Sequence, residues 1–137
     1  MTFVDAFCEK LEEIHCNYTR ETVDDGQEML YLGVSGDNFS GLQFGVLFDN
    51  IDSAQLYCHI CKFPAEKNLQ ALQTVNQLNL KYRWTKFCVM SSGVVRVAVD
   101  VKATENTAVD VLFHSLCMMN TIIDETYLIL MKAIVQA

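Results

Sequence analysis

The chain has 137 residues, of which 51% are hydrophobic and 20% are charged, and its formal net charge is −7. This composition excludes a disordered chain, and the length predicts a single domain over residues 1–137 that buries a substantial core. The acidic balance, without a basic patch to neutralise phosphates, argues against nucleic acid or a membrane as partner. The N-terminus lacks a basic stretch followed by an apolar run, so we expect no signal peptide and a cytoplasmic protein.

The first part of the chain predicts a helix followed by strands. Thr2 can cap a helix over residues 3–15, whose apolar positions recur at three- and four-residue spacing: Phe3, Phe7, Leu11 and Ile14. Apolar and polar residues then alternate, which is typical of half-buried strands. The predicted strands cover residues 28–34, 42–48 and 55–62, and residues 19–23 are a candidate for a further short strand. Tight turns are predicted at Asp25-Gly26, Asp49-Asn50 and Asp52-Ser53.

Residues 63–101 predict a helix followed by a β-hairpin. Pro64 suits the entrance of a helix over residues 65–82. Its predicted buried stripe contains Leu69, Leu72, Val75, Asn76, Leu78, Asn79 and Tyr82. Residues 84–91 and 94–101 alternate with a period of two, and Ser92-Gly93 between them indicates a hairpin turn. We expect the amides of Asn76 and Asn79 to satisfy backbone groups of a neighbouring strand or turn.

A long helix is predicted at the end of the chain, capped by Asn106 or Thr104 and running to about Val135. One apolar stripe of this helix contains Leu112, and a second contains Val111, Met118, Ile122 and Ile129. The sheet can cover the first stripe. A second subunit covering the other predicts a homodimer, unless the first helix packs there. Charged and polar residues interrupt this helix, so we do not expect it to span a membrane: Asp110, His114, Asp124, Glu125 and Lys132.

The predicted order α-β-β-β-α-β-β-α, with hairpins rather than crossovers, is typical of an α+β fold with an antiparallel sheet and helices packed on one face. The opposite face is then left to solvent. Its predicted residues are unusually apolar, which is typical of an interface: Met29, Tyr31, Leu47, Tyr57, His59, Cys61, Trp84, Cys88 and Met90. We therefore predict that this face binds a partner protein. The alternative is that a helix covers it, or that one or two strands are turned over.

Cysteines and histidines offer a weaker alternative. The six cysteines are expected to be reduced thiols. Cys58-His59-Ile60-Cys61 matches C-x-x-C, but in a strand its cysteines point to opposite faces, and no second motif completes a zinc set. Because no signature of a nucleophile or phosphate loop is present, we expect no enzyme, cofactor or metal. A small-molecule pocket or a Cys/His metal site stays open as the alternative.

The run Phe63-Pro64-Ala65-Glu66 and the later segments Val75-Asn76-Gln77-Leu78-Asn79, Lys86-Phe87, Ser92-Gly93 and Asp100-Val101 resemble the YbjN family. Its members are described as bacterial sensory transduction regulators and are similar in fold to type III secretion chaperones. The resemblance implies a bacterial, cytosolic, non-enzymatic protein that binds other proteins, often as a dimer. With the residue patterns, it predicts a chaperone-like or regulatory module that buries a partner segment on the exposed sheet face or along a strand edge.

Overall fold

The computed structural model of the protein describes residues 2–49, 53–102, 104 and 106–136. These residues form three helices and six strands, in this order: α1 (Phe3–Glu13), β1 (Thr19–Thr22), β2 (Glu28–Val34), β3 (Leu42–Phe48), β4 (Ser53–Lys62), α2 (Asn68–Lys81), β5 (Lys86–Val89), β6 (Val94–Lys102) and α3 (Ala108–Val135). The order confirms the predicted α+β fold, with β1 as the short candidate strand. Two predicted turn residues, Asn50 and Asp52, lie outside the described ranges.

The strands form one antiparallel sheet in the order β1-β2-β3-β4-β6-β5. Alternate residues point to its inner face and are fully buried there, among them Leu30, Phe44, Leu56 and Val97. The apolar residues of all three helices join these side chains in one core cluster. The prediction that the helices pack on one face is therefore confirmed. The opposite face is called the outer sheet face below.

Helix α1 begins at its predicted cap, where the Thr2 side chain accepts a backbone hydrogen bond at 3.2 Å. It ends two residues before the predicted end, because His15 adopts a left-handed conformation with φ 58°. The Cys16 N–H then turns back and donates to the Leu11 carbonyl at 2.8 Å, which closes the helix end. This turn leaves Ile14 exposed, so the predicted buried stripe is wrong at that position.

Helix α2 is entered through Pro64 and one 3-10 turn, Ala65–Lys67, before the α-helix proper starts. Its buried side consists of Ala71, Val75 and Leu78. The predicted stripe was therefore rotated: Leu69 and Leu72 point to solvent and were wrongly assigned to the core. Both sides of this helix carry apolar residues, so periodicity alone did not distinguish the packed side from the free one.

The Asn79 amide joins α2 to strand β5. The Phe87 N–H donates to Asn79 Oδ1 at 2.8 Å, and Asn79 Nδ2 donates to the Phe87 carbonyl at 2.9 Å. The prediction for Asn79 is confirmed. For Asn76 it is wrong, because this amide makes no hydrogen bond to a backbone group of the described residues. The N–H and carbonyl of Phe87 point away from β6 and are already bonded to the Asn79 amide. Another strand therefore cannot pair with this part of the β5 edge.

The β5–β6 hairpin is anchored at its tip. Gly93 has φ 91°, its N–H donates to the Met90 carbonyl, and its own carbonyl accepts the Phe63 N–H at 2.9 Å. A Cβ on Gly93 would lie 2.4 Å from the Phe63 carbonyl oxygen. Only glycine fits there, which accounts for the predicted hairpin turn at Ser92-Gly93.

Helix α3 runs unbroken from Ala108 to Val135. Thr107 occupies the N-cap position, so the predicted caps Thr104 and Asn106 are wrong, although the Thr104 hydroxyl does lie 2.9 Å from that of Thr107. Among the helices described, none is both long and apolar enough to cross a membrane.

The β2–β3 loop is fastened to the middle of α3. The Asn38 N–H donates to Asp124 Oδ1 at 2.7 Å, and Phe39 is buried with its ring 5.9 Å from that of Tyr127. This loop therefore packs over the helix side of the molecule and leaves the outer sheet face free.

Candidate interaction surface

One row of residues crosses the middle of the outer sheet face. Tyr31 of β2, Gly45 of β3, Tyr57 of β4 and Ala98 of β6 are successive register partners. Gly45 and Ala98 are small, so the half-buried tyrosines dominate the row. The register thus brings together two of the residues that the sequence predicted for this surface.

Tyr57 is held from three sides. A Cβ on Gly45 would lie 2.4 Å from the Tyr57 ring, so the ring occupies space that only glycine leaves free. The Arg96 guanidinium lies 4.5 Å from the ring centroid, within the range of a cation–π interaction. The His59 ring lies 5.5 Å away on the same strand. A ring restrained in this way loses little conformational entropy when a partner covers it.

A polar network borders the aromatic row. Arg96 Nη2 donates to Gln55 Oε1 at 2.7 Å, and Gln55 Nε2 donates to Asp100 Oδ1 at 2.9 Å. At the other end, the Tyr31 hydroxyl donates to Glu21 at 3.0 Å, and this bond raises the pKa of Tyr31 above its usual value. The sequence pattern predicted a predominantly apolar face. The outer sheet face is instead amphipathic.

The remaining residues predicted for the outer sheet face divide into two groups. Leu47 is half-buried and His59 is exposed, so both are accessible. Met29 belongs to the same face but keeps only 9% of its surface exposed, beside its register partners Glu21 and Leu47. Met29 therefore packs beneath its neighbours and offers little area to a partner.

Cys61 was wrongly assigned to the outer sheet face. The β4–β6 register shifts between His59 and Cys61, so Cys61 pairs with the buried Val95 and packs against the core. A β-bulge of this kind adds one residue to the strand and reverses the alternation after it. Strict alternation over the predicted strand could not reveal the extra residue.

Trp84 and Met90 lie outside strand β5, which is shorter than the predicted strand over residues 84–91. Trp84 is in the bend between α2 and β5 with 70% of its surface exposed, and Met90 follows β5 with 37% exposed. Both are accessible, and Trp84 lies three residues after the end of α2. Cys88 does lie on β5 and is exposed.

Arg96 and Gln55 are the site residues that the sequence prediction missed. Their positions in the alternating pattern place both on the outer sheet face, so a signal was present. Their importance depends on the register that sets Gln55 opposite Asp100 and Tyr57 opposite Ala98. Single-strand patterns do not contain that register.

The thiols of the C-x-x-C segment are poor candidates for chemistry. Burial raises the pKa of Cys58 to about 12 and that of Cys61 to about 11, so both stay protonated at neutral pH. All six cysteines are free. Over the described ranges, no group of three or more His, Cys, Asp and Glu side chains is arranged to hold a metal ion.

A depression lies at the turn between α1 and β1, lined by Glu12, His15, Cys16, Asn17 and Tyr18. It is open and polar, and its lining residues are close together in the chain. It lies outside the aromatic row, and its residues provide no enclosed apolar seat for a small molecule.

Comparison with known proteins relates the chain to a protein family and to a solved structure. The model of the YbjN family, described as "Putative bacterial sensory transduction regulator", matches residues 4–113. The solved structure described as "Crystal structure of YbjN, a putative transcription regulator from E. coli" is similar in fold, with a TM-score of 0.59 and 9% sequence identity. The similarity covers 90% of each chain. No curated protein matches the sequence.

Proposed function

The chain belongs to the YbjN family, and from that membership we propose that it is a cytoplasmic regulator that binds another protein through its outer sheet face. The family description names regulation and no reaction, which supports a role without catalysis. The similar E. coli protein is named as a transcription regulator. For this acidic chain, we propose that regulation proceeds through a protein partner rather than through nucleic acid.

The observation that supports this proposal most strongly is the restrained ring of Tyr57 at the centre of the outer sheet face. Tyrosine and arginine are enriched among the residues that dominate binding energy at protein interfaces. Here the two residues stack at 4.5 Å, and Leu47 and Tyr31 add apolar surface on the neighbouring strands. A partner that covers this cluster would exclude water from the Arg96–Tyr57 stack and strengthen it.

The face is a better candidate than either edge of the sheet. At one edge, Asn79 occupies the Phe87 backbone. At the other, β1 has only four residues, and its Arg20 makes ion pairs with Asp5 and Glu28. Short strands with engaged charges are poor templates for strand addition.

We also propose that the protein forms a homodimer through α3. Val111, Leu128 and Ile129 leave parts of this helix apolar and exposed. A two-fold contact would bury the same patch of both subunits. Native mass spectrometry of the purified chain tests this proposal: a dimer that Ile129→Glu converts to a monomer supports it, and a wild-type monomer contradicts it.

Charge substitutions on the outer sheet face test the binding proposal. The tagged protein is expressed in its own host and purified, and the polypeptides that copurify with it are identified. Each of them is then purified and its binding to the tagged protein is measured. We expect Tyr57→Glu and His59→Glu to weaken that purified complex at least tenfold. Tyr57→Glu removes the ring on which Arg96 stacks, and each substitution adds a carboxylate that the partner would have to desolvate.

His114→Glu is the matched control, because this exposed histidine lies on α3, away from the sheet. It should bind as the wild type does, and circular dichroism should show all three variants folded. Because His59 is exposed, its variant tests the surface even if Tyr57→Glu unfolds. Unchanged binding by His59→Glu and a folded Tyr57→Glu would refute the outer sheet face as the binding site.

A further inference from the structure

Helix α2 presents three leucines to solvent: Leu69 and Leu80 lie on the side opposite its buried residues, and Leu72 lies on the flank. Leu69, Leu72 and Leu80 keep 65%, 49% and 78% of their surfaces exposed. At 100° per residue, Leu69 and Leu80 lie within about 20° of each other around the helix, and Leu72 lies within about 80° of Leu80. The row extends about 17 Å along the axis, or three turns. Exposed leucines aligned in this way are typical of a docking surface rather than scattered surface residues.

Exposed Trp84 and two cationic side chains follow this row in the chain, at the last residue of α2 and in the bend after it. Lys81 and Arg83 are both exposed, and the Arg83 guanidinium lies 5.6 Å from the Trp84 ring centroid. Leu69, Leu72, Leu80 and Trp84, with Lys81 and Arg83, are called the α2 surface. It is separate from the outer sheet face, because α2 packs on the opposite side of the sheet.

The charged residues of the α2 surface are cations, Lys81 and Arg83, and helix Asn68–Lys81 itself contains no acidic residue, although the protein has a net charge of −7. One carboxylate contacts this end of the helix, because Glu125 of α3 accepts a hydrogen bond from the Tyr82 hydroxyl at 2.8 Å. An apolar row ending in cations is complementary to an apolar segment that carries acidic residues.

Two other occupants fit the α2 surface less well. Antiparallel pairing of two α2 helices would place no carboxylate of the helix opposite Lys81, because Asn68–Lys81 contains none, and pairing with an acidic patch elsewhere on a second copy would form an open chain of subunits. Membrane-binding helices carry basic residues along their polar face. In α2 the polar positions between the leucines are instead amides, including Gln70, Gln73, Asn76 and Gln77, and the cations are confined to one end.

We propose that the α2 surface binds an acidic, amphipathic segment of another protein. Its apolar residues lie along Leu69, Leu72 and Leu80, and its carboxylates face Lys81 and Arg83. Trp84 is the aromatic anchor of the contact, as exposed tryptophans often are at interfaces. This proposal does not depend on the role of the outer sheet face.

The protein contains a single tryptophan, so its fluorescence reports directly on the α2 surface. The probe is a synthetic helical peptide of roughly 14 residues, with leucines at three- and four-residue spacing and glutamates elsewhere. Its twin carries lysines in place of the glutamates. We expect the glutamate peptide to shift Trp84 emission to the blue, with affinity that falls as salt rises, and the lysine twin to cause no shift.

Variants identify the surface that the peptide contacts. Leu80→Gln and the double change Lys81→Glu, Arg83→Glu should each weaken binding about tenfold or more, which corresponds to about 1.4 kcal/mol. Ile14→Gln is the control, because this exposed apolar residue lies at the end of α1. It should bind as the wild type does. Because the substituted side chains are exposed, the variants are expected to remain folded.

Four results would overturn the proposal. One is the absence of a blue shift with the glutamate peptide, and another is equal binding of the lysine twin. The third is a shift with vesicles of phosphatidylglycerol and phosphatidylcholine but none with peptide, which would assign the α2 surface to a lipid interface. Unchanged affinity in Leu80→Gln would likewise place the peptide elsewhere on the protein.

Discussion

Asn76 and Asn79 are the same residue type one helical turn apart, yet only one of them holds the fold together. Both residues are exposed, but the Asn79 amide makes two hydrogen bonds to the Phe87 backbone, at 2.8 and 2.9 Å, and the Asn76 amide makes none with the described residues. The side chain of Asn79 thus replaces the neighbouring strand that β5 lacks at its free edge. It fixes the rotation of α2, and so determines which leucines of this helix face solvent.

We predict that Asn79→Ala lowers the free energy of unfolding by about 1–2 kcal/mol, because the N–H and carbonyl of the buried Phe87 lose their partner. Urea denaturation followed by circular dichroism measures this loss. Asn76→Ala is the matched control, since both changes give α2 the same gain in helix propensity. Equal stability of the two variants would mean that the Asn79 hydrogen bonds contribute nothing net.

At the scale of elements, strands were easier to predict than the packing of helices. The observed bounds of β2 and β3 coincide with the predicted residues 28–34 and 42–48. Both strands have one buried face, so alternation specifies them directly. The α2 stripe was rotated because Leu69 and Leu72 compete with Ala71 for the core, and contacts with β5 and α3 decide between them.

Substitutions at the tip of the β5–β6 hairpin test how tightly it packs against the segment before α2. Gly93→Ala would combine a positive φ with a Cβ 2.4 Å from the Phe63 carbonyl oxygen. Gly41 also has a positive φ, of 74°, but nothing lies within 4 Å of its Cβ position. Gly41→Ala therefore measures backbone strain alone, which costs about 1–2 kcal/mol.

We predict that Gly93→Ala destabilises the protein by about 1–3 kcal/mol more than Gly41→Ala, because a backbone oxygen must move to admit the methyl group. Urea denaturation of the two variants gives this difference. Equal losses would indicate that the hairpin tip shifts away from Phe63 without cost, and that the junction before α2 is loosely packed.

For the molecule as a whole, the sequence predicted the layers better than the surfaces. It placed Tyr31, Tyr57 and His59 on the outer sheet face, because successive residues of a strand point to opposite faces of the sheet. It could not predict the Tyr57 ring over Gly45, the bulge that turns Cys61 inward, or the end of β5 before Met90. These features depend on contacts between strands, which no single segment of the chain contains.

The buried thiols link the stability of the whole fold to alkaline pH. A thiol ordinarily ionises near pH 9.0, whereas burial raises the pKa of Cys58 to about 12. Between these values the native state holds a proton that the unfolded chain has released. Because the native state then binds more protons, the free energy of unfolding falls as pH rises above about 9, by at most about 1.4 kcal/mol per pH unit for this thiol.

We predict that urea denaturation under reducing conditions at pH 8, 9, 10 and 11 shows this fall, and that Cys58→Ala makes the slope shallower. Cys58→Ala also lowers stability at pH 8 by leaving a cavity, so the slope is the informative quantity. Cys88→Ala is the matched control, because the same substitution removes an exposed thiol instead of a buried one. If Cys58→Ala and the wild type have the same slope, Cys58 ionises equally in both states. This result would contradict the burial of Cys58 in the core. It would also contradict the assignment of Tyr57 to the outer sheet face, because neighbouring residues of β4 point to opposite faces.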